Sequence, residues 1–198
     1  GPRRYAAILD AAYGALKRAG RRDLVVGGNT FTSGDVPPFN FLRWMRVRKK
    51  GRWVPPRLDL YGHNPFGPRK PYLGLRALPG GMADFGTLDT FAKRLDRVYK
   101  PPRRGRNKGK RVQLYLAEYT MPSGGPNITF GDMYTTEKGA AAYLSAALKI
   151  TRRWKRIHTL GWYRLYDEAP RPDGLETKWG LLTHDGRKKK TYYAYKRG

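Results

Sequence analysis

Apolar residues along this chain fall into two alternating rhythms, stripes of helical period and short unbroken runs. YAAILDAAYGALKRAG (5–20) sets Tyr5, Ile8, Leu9, Ala12, Tyr13 and Leu16 on one helical stripe, with Gly20 placed to stop it. DLVVGGNT (23–30) follows after a very short turn. It is a brief apolar run ending in small and polar residues, the pattern of a buried parallel strand. PPFNFLRWMRV (37–47) opens on prolines and reads as a short helix, and RLDLYGHNP (57–65) reads as a second strand with a polar end.

The alternation continues. TLDTFAKRLDRVYK (87–100) carries Leu88, Phe91, Leu95 and Val98 at helical spacing, with Thr87 as a candidate N-cap. VQLYLAEYT (112–120) predicts a strand, and TEKGAAAYLSAALKITRRW (136–154) a helix with Ala140, Tyr143, Leu144, Ala147, Leu148 and Thr151 in register. IHTLGWYRLYD (157–167) predicts another strand, and KKKTYYAYK a short closing helix. Segments 68–86 and 121–136 read as long loops, each following a strand. A helix followed by four strand-to-helix units predicts an α/β fold with parallel strands and helical crossovers. Asn29, Thr30, His63, Asn64, Glu118, Tyr119, Trp162 and Asp167 all fall at or just beyond carboxyl ends of predicted strands. In α/β folds that edge is where sites are built.

Composition narrows the classes. A chain of 198 residues with 39% hydrophobic content can form one sizeable core. No apolar stretch reaches the length of a membrane span, and no leader pattern opens the sequence, so a soluble protein is expected. The absence of cysteine removes disulfides and thiolate metal ligands. The outlying number is charge: 41 Lys and Arg against 15 Asp and Glu give a net +26. That predicts attraction to polyanions, with one dense basic run, KPPRRGRNKGKR (100–111), expected to form a loop. No nucleic-acid module accompanies it. His158 and His184 share no metal-ligand spacing with carboxylates, and Gly27-Gly28 sits in no phosphate-loop or dinucleotide pattern, so no metal or cofactor is expected. The glycine pair suggests close packing instead.

LYLAEYT resembles the seventh strand of clan A glycoside hydrolases, the (β/α)8 barrels that include cellulases and β-xylosidase-like enzymes. DLYGHNPFG (59–67) resembles their sixth strand, TLGWYRLYD (159–167) their eighth, and GLLTHDGRKKKTYYAYK (180–196) their closing segment. The motifs are short, and their force lies in their order along nearly the whole chain. The resemblance implies a TIM-barrel type α/β fold. This chain would supply roughly helix four through strand eight and helix eight, as a single domain over residues 1–198. It also implies that Glu118 is the catalytic nucleophile, that His63 reaches the sugar subsite, and that Trp162 floors it. One departure stands out: no Asn-Glu-Pro motif, which carries the clan's general acid/base at the end of strand four, occurs in this sequence. The chain therefore reads as the carboxyl half of a barrel. The amino half would be a separate chain, a removed segment, or a second copy of this one, since a closed barrel leaves no strand edge unpaired.

Under that resemblance the function is retaining O-glycosyl hydrolysis of an oligo- or polysaccharide. Such a reaction needs two carboxyl groups about 5–5.5 Å apart. Glu118 would be the ionised one, and Asp167 ends the wrong strand to be the other. Trp162 would offer an apolar face to the sugar ring, with Tyr119 and Tyr61 as weaker candidates. Asn29 and Asn64 would hydrogen-bond hydroxyls. Expected partners are a carbohydrate, acidic if the basic surface selects it, together with the missing half-barrel. A secreted or extracellular location would fit. The plain alternatives stay open. Glu118 could pair with a basic side chain, His63 could be a turn residue, Trp162 could be core packing, and the whole chain could be a non-enzymatic binder of nucleic acid or anionic glycan.

Overall fold

The computed structural model describes residues 1–105 and 108–198. Residues 106 and 107 belong to the expected basic loop, and that part of the expectation lies outside the described residues. The chain opens with helix α1 (Pro2–Ala19), with a proline in its first turn. It stops where the Gly20 amide donates to the Leu16 carbonyl at 2.8 Å. Gly20 is extended, so the helix ends without a left-handed cap. Strand β1 (Val26–Phe31) and helix α2 (Pro38–Trp44) follow, then a hairpin of β2 (Val47–Lys49) and β3 (Arg52–Val54). Next come β4 (Leu60–Asn64), α3 (Leu88–Val98), β5 (Gln113–Tyr119), α4 (Glu137–Arg153), β6 (Ile157–Trp162) and α5 (Lys190–Arg197).

Four of the strands form one sheet in the order β1-β4-β5-β6, every neighbouring pair parallel. Each crossover runs through helices, as parallel pairing demands. The five residues of central β4 are all buried, because helices cover one face and side chains of the flanking strands fill the other. The core gathers Leu42 and Met45 from the α2 side, Phe91 and Leu95 from α3, and Leu114 and Leu116 from β5, all essentially without exposure. Thr136 caps α4, its hydroxyl accepting from the Gly139 amide at 3.0 Å. No helix among the described residues is long and apolar enough to cross a membrane.

Several local expectations change. Thr87 occupies the N-cap position of α3, but its hydroxyl donates to the Asp84 carbonyl (3.1 Å) instead of capping the helix. The helical stripe of α1 splits. Leu9 is buried, whereas Ile8 and Leu16 are 63% and 49% exposed, because α1 packs on α2 and β2 and leaves part of its stripe uncovered. The hairpin was not foreseen. Its tip, Lys50-Gly51, takes positive φ at both residues, the geometry of a tight hairpin turn. The last strand ends at Trp162, so Asp167 lies in the following loop and not at a strand end.

Candidate active site

Side chains alternate along a strand, so Glu118 should follow Leu114 and Leu116 toward the helices. It does not. Between the pairs Leu116↔Leu160 and Tyr119↔Trp162, β5 spends two residues, Ala117 and Glu118, against the single Gly161 of β6. This bulge breaks the alternation, so that Tyr119 turns into the core and Glu118 stays partly exposed at the carboxyl edge. Only glycine fits opposite it: a Cβ on Gly161 would sit 2.4 Å from the Ala117 carbonyl oxygen. The Glu118 amide donates to the Asn64 side-chain oxygen (3.3 Å), which ties the end of β5 to the end of β4.

A second bulge lies across the sheet. Between Gly27↔Tyr61 and Thr30↔His63, β1 places Gly28 and Asn29 against the single Gly62. Both bulge residues adopt positive φ, +94° at Gly28 and +48° at Asn29, and Asn29 is exposed. Gly62 is again constrained, since its Cβ would meet the Asn29 backbone at 3.0 Å.

The electrostatic state of Glu118 sets it apart. The other acids of this edge that are at least partly buried are occupied. Asp84 is paired with Arg69 at 2.6 Å, and Glu137 with Arg187 at 2.7 Å. Asp167 accepts from Lys189 at 2.7 and 3.0 Å and from the Gly180 amide at 2.7 Å. Asp167 and Lys189 form a buried, mutually neutralised pair, which removes Asp167 as a free acid. Among the described residues Glu118 is the one partly buried carboxylate with neither an ion pair nor a side-chain hydrogen bond. The other acids without partners, Asp23, Asp35 and Asp132, are all exposed.

Trp162 stands at the end of β6, paired with Tyr119, and remains partly exposed. Its indole N–H donates to the Trp179 carbonyl (2.9 Å), which also accepts from the Thr120 hydroxyl (3.2 Å). One carbonyl therefore fixes the ends of both strands. Tyr119 is wholly buried, edge-on to Trp162 and stacked on Tyr143. His63 is wholly buried and stacked on Phe91 at 4.9 Å. Burial lowers its pKa to about 4, against the opposing pull of the Ala83 and Thr30 carbonyls and of Asp84, so the ring is neutral at pH 7. Nε2 lies 2.9 Å from the Ala83 carbonyl, and Nδ1 lies 2.9 Å from the Thr30 hydroxyl and 3.0 Å from the Thr30 carbonyl, so a proton on either nitrogen finds an acceptor. Direct sugar contact by His63, Tyr119 or Tyr61 is thereby corrected. All three are packed inside this chain, and His63 and Tyr119 support the edge from behind.

The structure thus brings Glu118, Asn64 and Trp162 together on adjacent strand ends and places Asn29 at the outer edge of the sheet. The supporting residues Gly62, Gly161, Asp84 and Trp179 escaped the sequence reading. The glycines inside LYGHN and TLGWY were the available signal, because glycine within a strand marks a bulge or a close backbone approach. His158 and His184 are exposed and apart from this site. No group of three metal-ligating side chains exists among the described residues.

No family model and no curated protein matches the chain. Solved structures do. A family 39 glycoside hydrolase from the gut symbiont Bacteroides cellulosilyticus WH2 superposes with a TM-score of 0.64 at 19% identity, covering 95% of this chain and 35% of its own. The GH39 enzyme from Xanthomonas axonopodis pv. citri gives 0.55 at 16% identity, over 97% of this chain and 35% of its own. An active-site mutant of Rhizomucor miehei beta-1,3-glucanosyltransferase, in complex with laminaritriose, gives 0.52 at 19% identity, over 96% and 56%. At such identities the likeness establishes fold. The chain is an α/β, glycoside-hydrolase-like structure whose parallel sheet corresponds to part of a (β/α)8 barrel, and it spans about a third to a half of these neighbours' length.

Proposed function

We propose that this chain is the nucleophile-bearing part of a retaining glycoside hydrolase acting on an oligo- or polysaccharide, with residues 1–198 serving as one catalytic piece. The observation that carries the reading is the state of Glu118: an unneutralised, partly buried carboxylate thrust out by a bulge at the carboxyl edge. A carboxylate oxygen of Glu118 attacks the anomeric carbon while the bond to the leaving oxygen breaks and that oxygen takes a proton from a general acid. Water then cleaves the glycosyl ester and Glu118 is regenerated. Trp162 supplies an apolar face to the sugar, and Asn64 and Asn29 supply hydrogen bonds to hydroxyls. The general acid comes from outside these 198 residues, on an amino-terminal half-barrel that pairs with β1 and β6. The open edges of those strands and the exposed Ile8, Leu16 and Leu24 beside β1 support that partner.

The test uses aryl glycosides with the chain alone and with a co-expressed amino-terminal half-barrel carrying Asn-Glu-Pro. The chain alone is expected to be inert and the assembly active. In the assembly Glu118→Gln should lower kcat by at least about 10⁴-fold. Turnover by the chain alone, lost in Glu118→Gln, would sink the missing-acid claim, and an active Glu118→Gln assembly would sink the nucleophile claim.

A further inference from the structure

The sheet has a second edge, and the charge that Glu118 leaves unexplained is concentrated there. The helices that lead directly into strands of the parallel sheet end at the amino edge, and each of these ends is basic: Lys17 and Arg18 on α1, Arg97 on α3, Arg152 and Arg153 on α4. Basic last turns complement the helix dipole, which accounts for one or two charges per helix. It does not account for the segment between α3 and β5, where Lys100, Arg103, Arg104, Lys108 and Lys110 are all exposed and none has a carboxylate within ion-pair distance among the described residues. Arg21 and Arg22 enlarge the same rim. The acids of this edge are few, and two are already engaged. Asp59 pairs with Lys17, and Asp96 with both Arg111 and Arg156.

Within the rim lies a pocket of about 520 Å³ lined by Lys93, Lys110, Arg111, Trp154, Lys155 and Arg156, with Asp89 and Asp96 as its carboxylates. Arg156 is nearly buried. One of its nitrogens donates to Asp96 and to the Ala92 carbonyl, while Nε and Nη1 have no partner. A buried guanidinium with two unsatisfied nitrogens asks for an acceptor that the described residues do not supply.

We propose that the amino edge of the sheet binds an anionic polysaccharide, with the Arg156 pocket seating one carboxylate or sulfate group. The pocket offers no exposed aromatic face on which single-stranded bases would stack. Trp154 and Tyr99 are partly buried, and the exposed Trp44, Trp53, Tyr72 and Tyr134 are not among the residues that line the Arg156 pocket. The one basic ribbon, the β2–β3 hairpin, is tied to the middle of α1 through Lys49 and Asp10 and does not project from this rim. The proposal does not depend on Glu118.

The test measures binding of the 198-residue chain to heparin, polygalacturonate, neutral dextran and DNA over a series of salt concentrations. Heparin and polygalacturonate should bind and dextran should not. Replacing Arg103, Arg104, Lys108 and Lys110 by Ser should flatten the slope of log affinity against log salt by about 3. The same substitution at Lys70, Arg76, Lys138 and Lys190, exposed residues of the opposite edge, should change it by less than half as much. Lys93→Ser with Lys155→Ser should weaken binding roughly tenfold near physiological salt. Equal losses in the two quadruple variants would mean diffuse charge without a binding face and would overturn the proposal. So would DNA binding tighter than polygalacturonate at matched salt, and so would Lys93→Ser with Lys155→Ser binding as tightly as the parent chain.

Discussion

In β1 two residues, Gly28 and Asn29, face the single Gly62, and in β5 two residues, Ala117 and Glu118, face the single Gly161. Both bulges lie at the carboxyl edge, both oppose a glycine, and both turn a polar side chain out of the alternating pattern. They differ in how the surroundings are satisfied. The β1 bulge is locked from behind by neutral His63, which holds Thr30 through its hydroxyl, and Asn29 emerges at an edge strand. The β5 bulge lies between two paired strands, its amide held by Asn64, and its carboxylate has no partner among the described residues. One irregularity is structurally closed and the other is left chemically open. Among the described acids of this edge that are at least partly buried, Glu118 alone is left open, and the proposed nucleophile role rests on that.

The comparison is broken most severely at Gly161. A methyl there meets a backbone carbonyl that cannot move without breaking the β5–β6 ladder, so Gly161→Ala should cost more than about 3 kcal/mol and displace Glu118. Gly62→Ala meets backbone atoms at 3.0 Å and should cost about 1–3 kcal/mol. Denaturant midpoints of the two variants order the bulges. A Gly161→Ala protein as stable as the parent would mean that the β5 bulge is not fixed from β6.

His63 gives the next effect. Its folded pKa of about 4 lies below the 6.5 of the unfolded chain, so between those values the unfolded state binds more protons. The stability it contributes is complete above pH 6.5 and is lost as pH falls toward 4. Between pH 7 and pH 5 the loss should be about 2 kcal/mol, before most carboxylates titrate. Denaturation at the two pH values, in the parent and in His63→Gln, isolates this contribution. An unchanged slope in the variant would assign the titration elsewhere.

These contrasts also mark how far the sequence could be read. Each parallel strand and the helix that follows it was visible as a change of apolar period, because those elements bury one continuous stripe or run. The β2–β3 hairpin was not visible: VRKKGRWV is dominated by charge, and its turn places Lys, a residue rarely used with positive φ, where Asn or Asp would have signalled it. The exposed Ile8 and Leu16 could not be foreseen, since a helical stripe does not reveal how much of it the chain itself covers. At the site, the strand-end position of Glu118 was legible. Its direction was not, because that depends on Gly161, which is 43 residues further on and meets it only through sheet register. For the same reason His63 and Tyr119 looked like surface contacts, although Phe91 and Tyr143 cover them.

The smallest expected effect separates backbone from side chain at the first bulge. Asn29 sits at φ +48°, where asparagine is tolerated and glycine is at ease, while glycine also leaves the unfolded chain freer. The two terms oppose each other, so Asn29→Gly should shift stability by less than about 0.5 kcal/mol, whereas Asn29→Ala should lose about 1 kcal/mol. Neither substitution disturbs the His63 lock, because Thr30 and not Asn29 holds it. If the amide of Asn29 binds a sugar hydroxyl, both variants of the complemented enzyme should raise KM by a similar factor despite their different stabilities. If Asn29 serves only the bulge, KM should stay at the parent value in Asn29→Gly, and the closed character of the β1 bulge would then extend to its exposed residue as well.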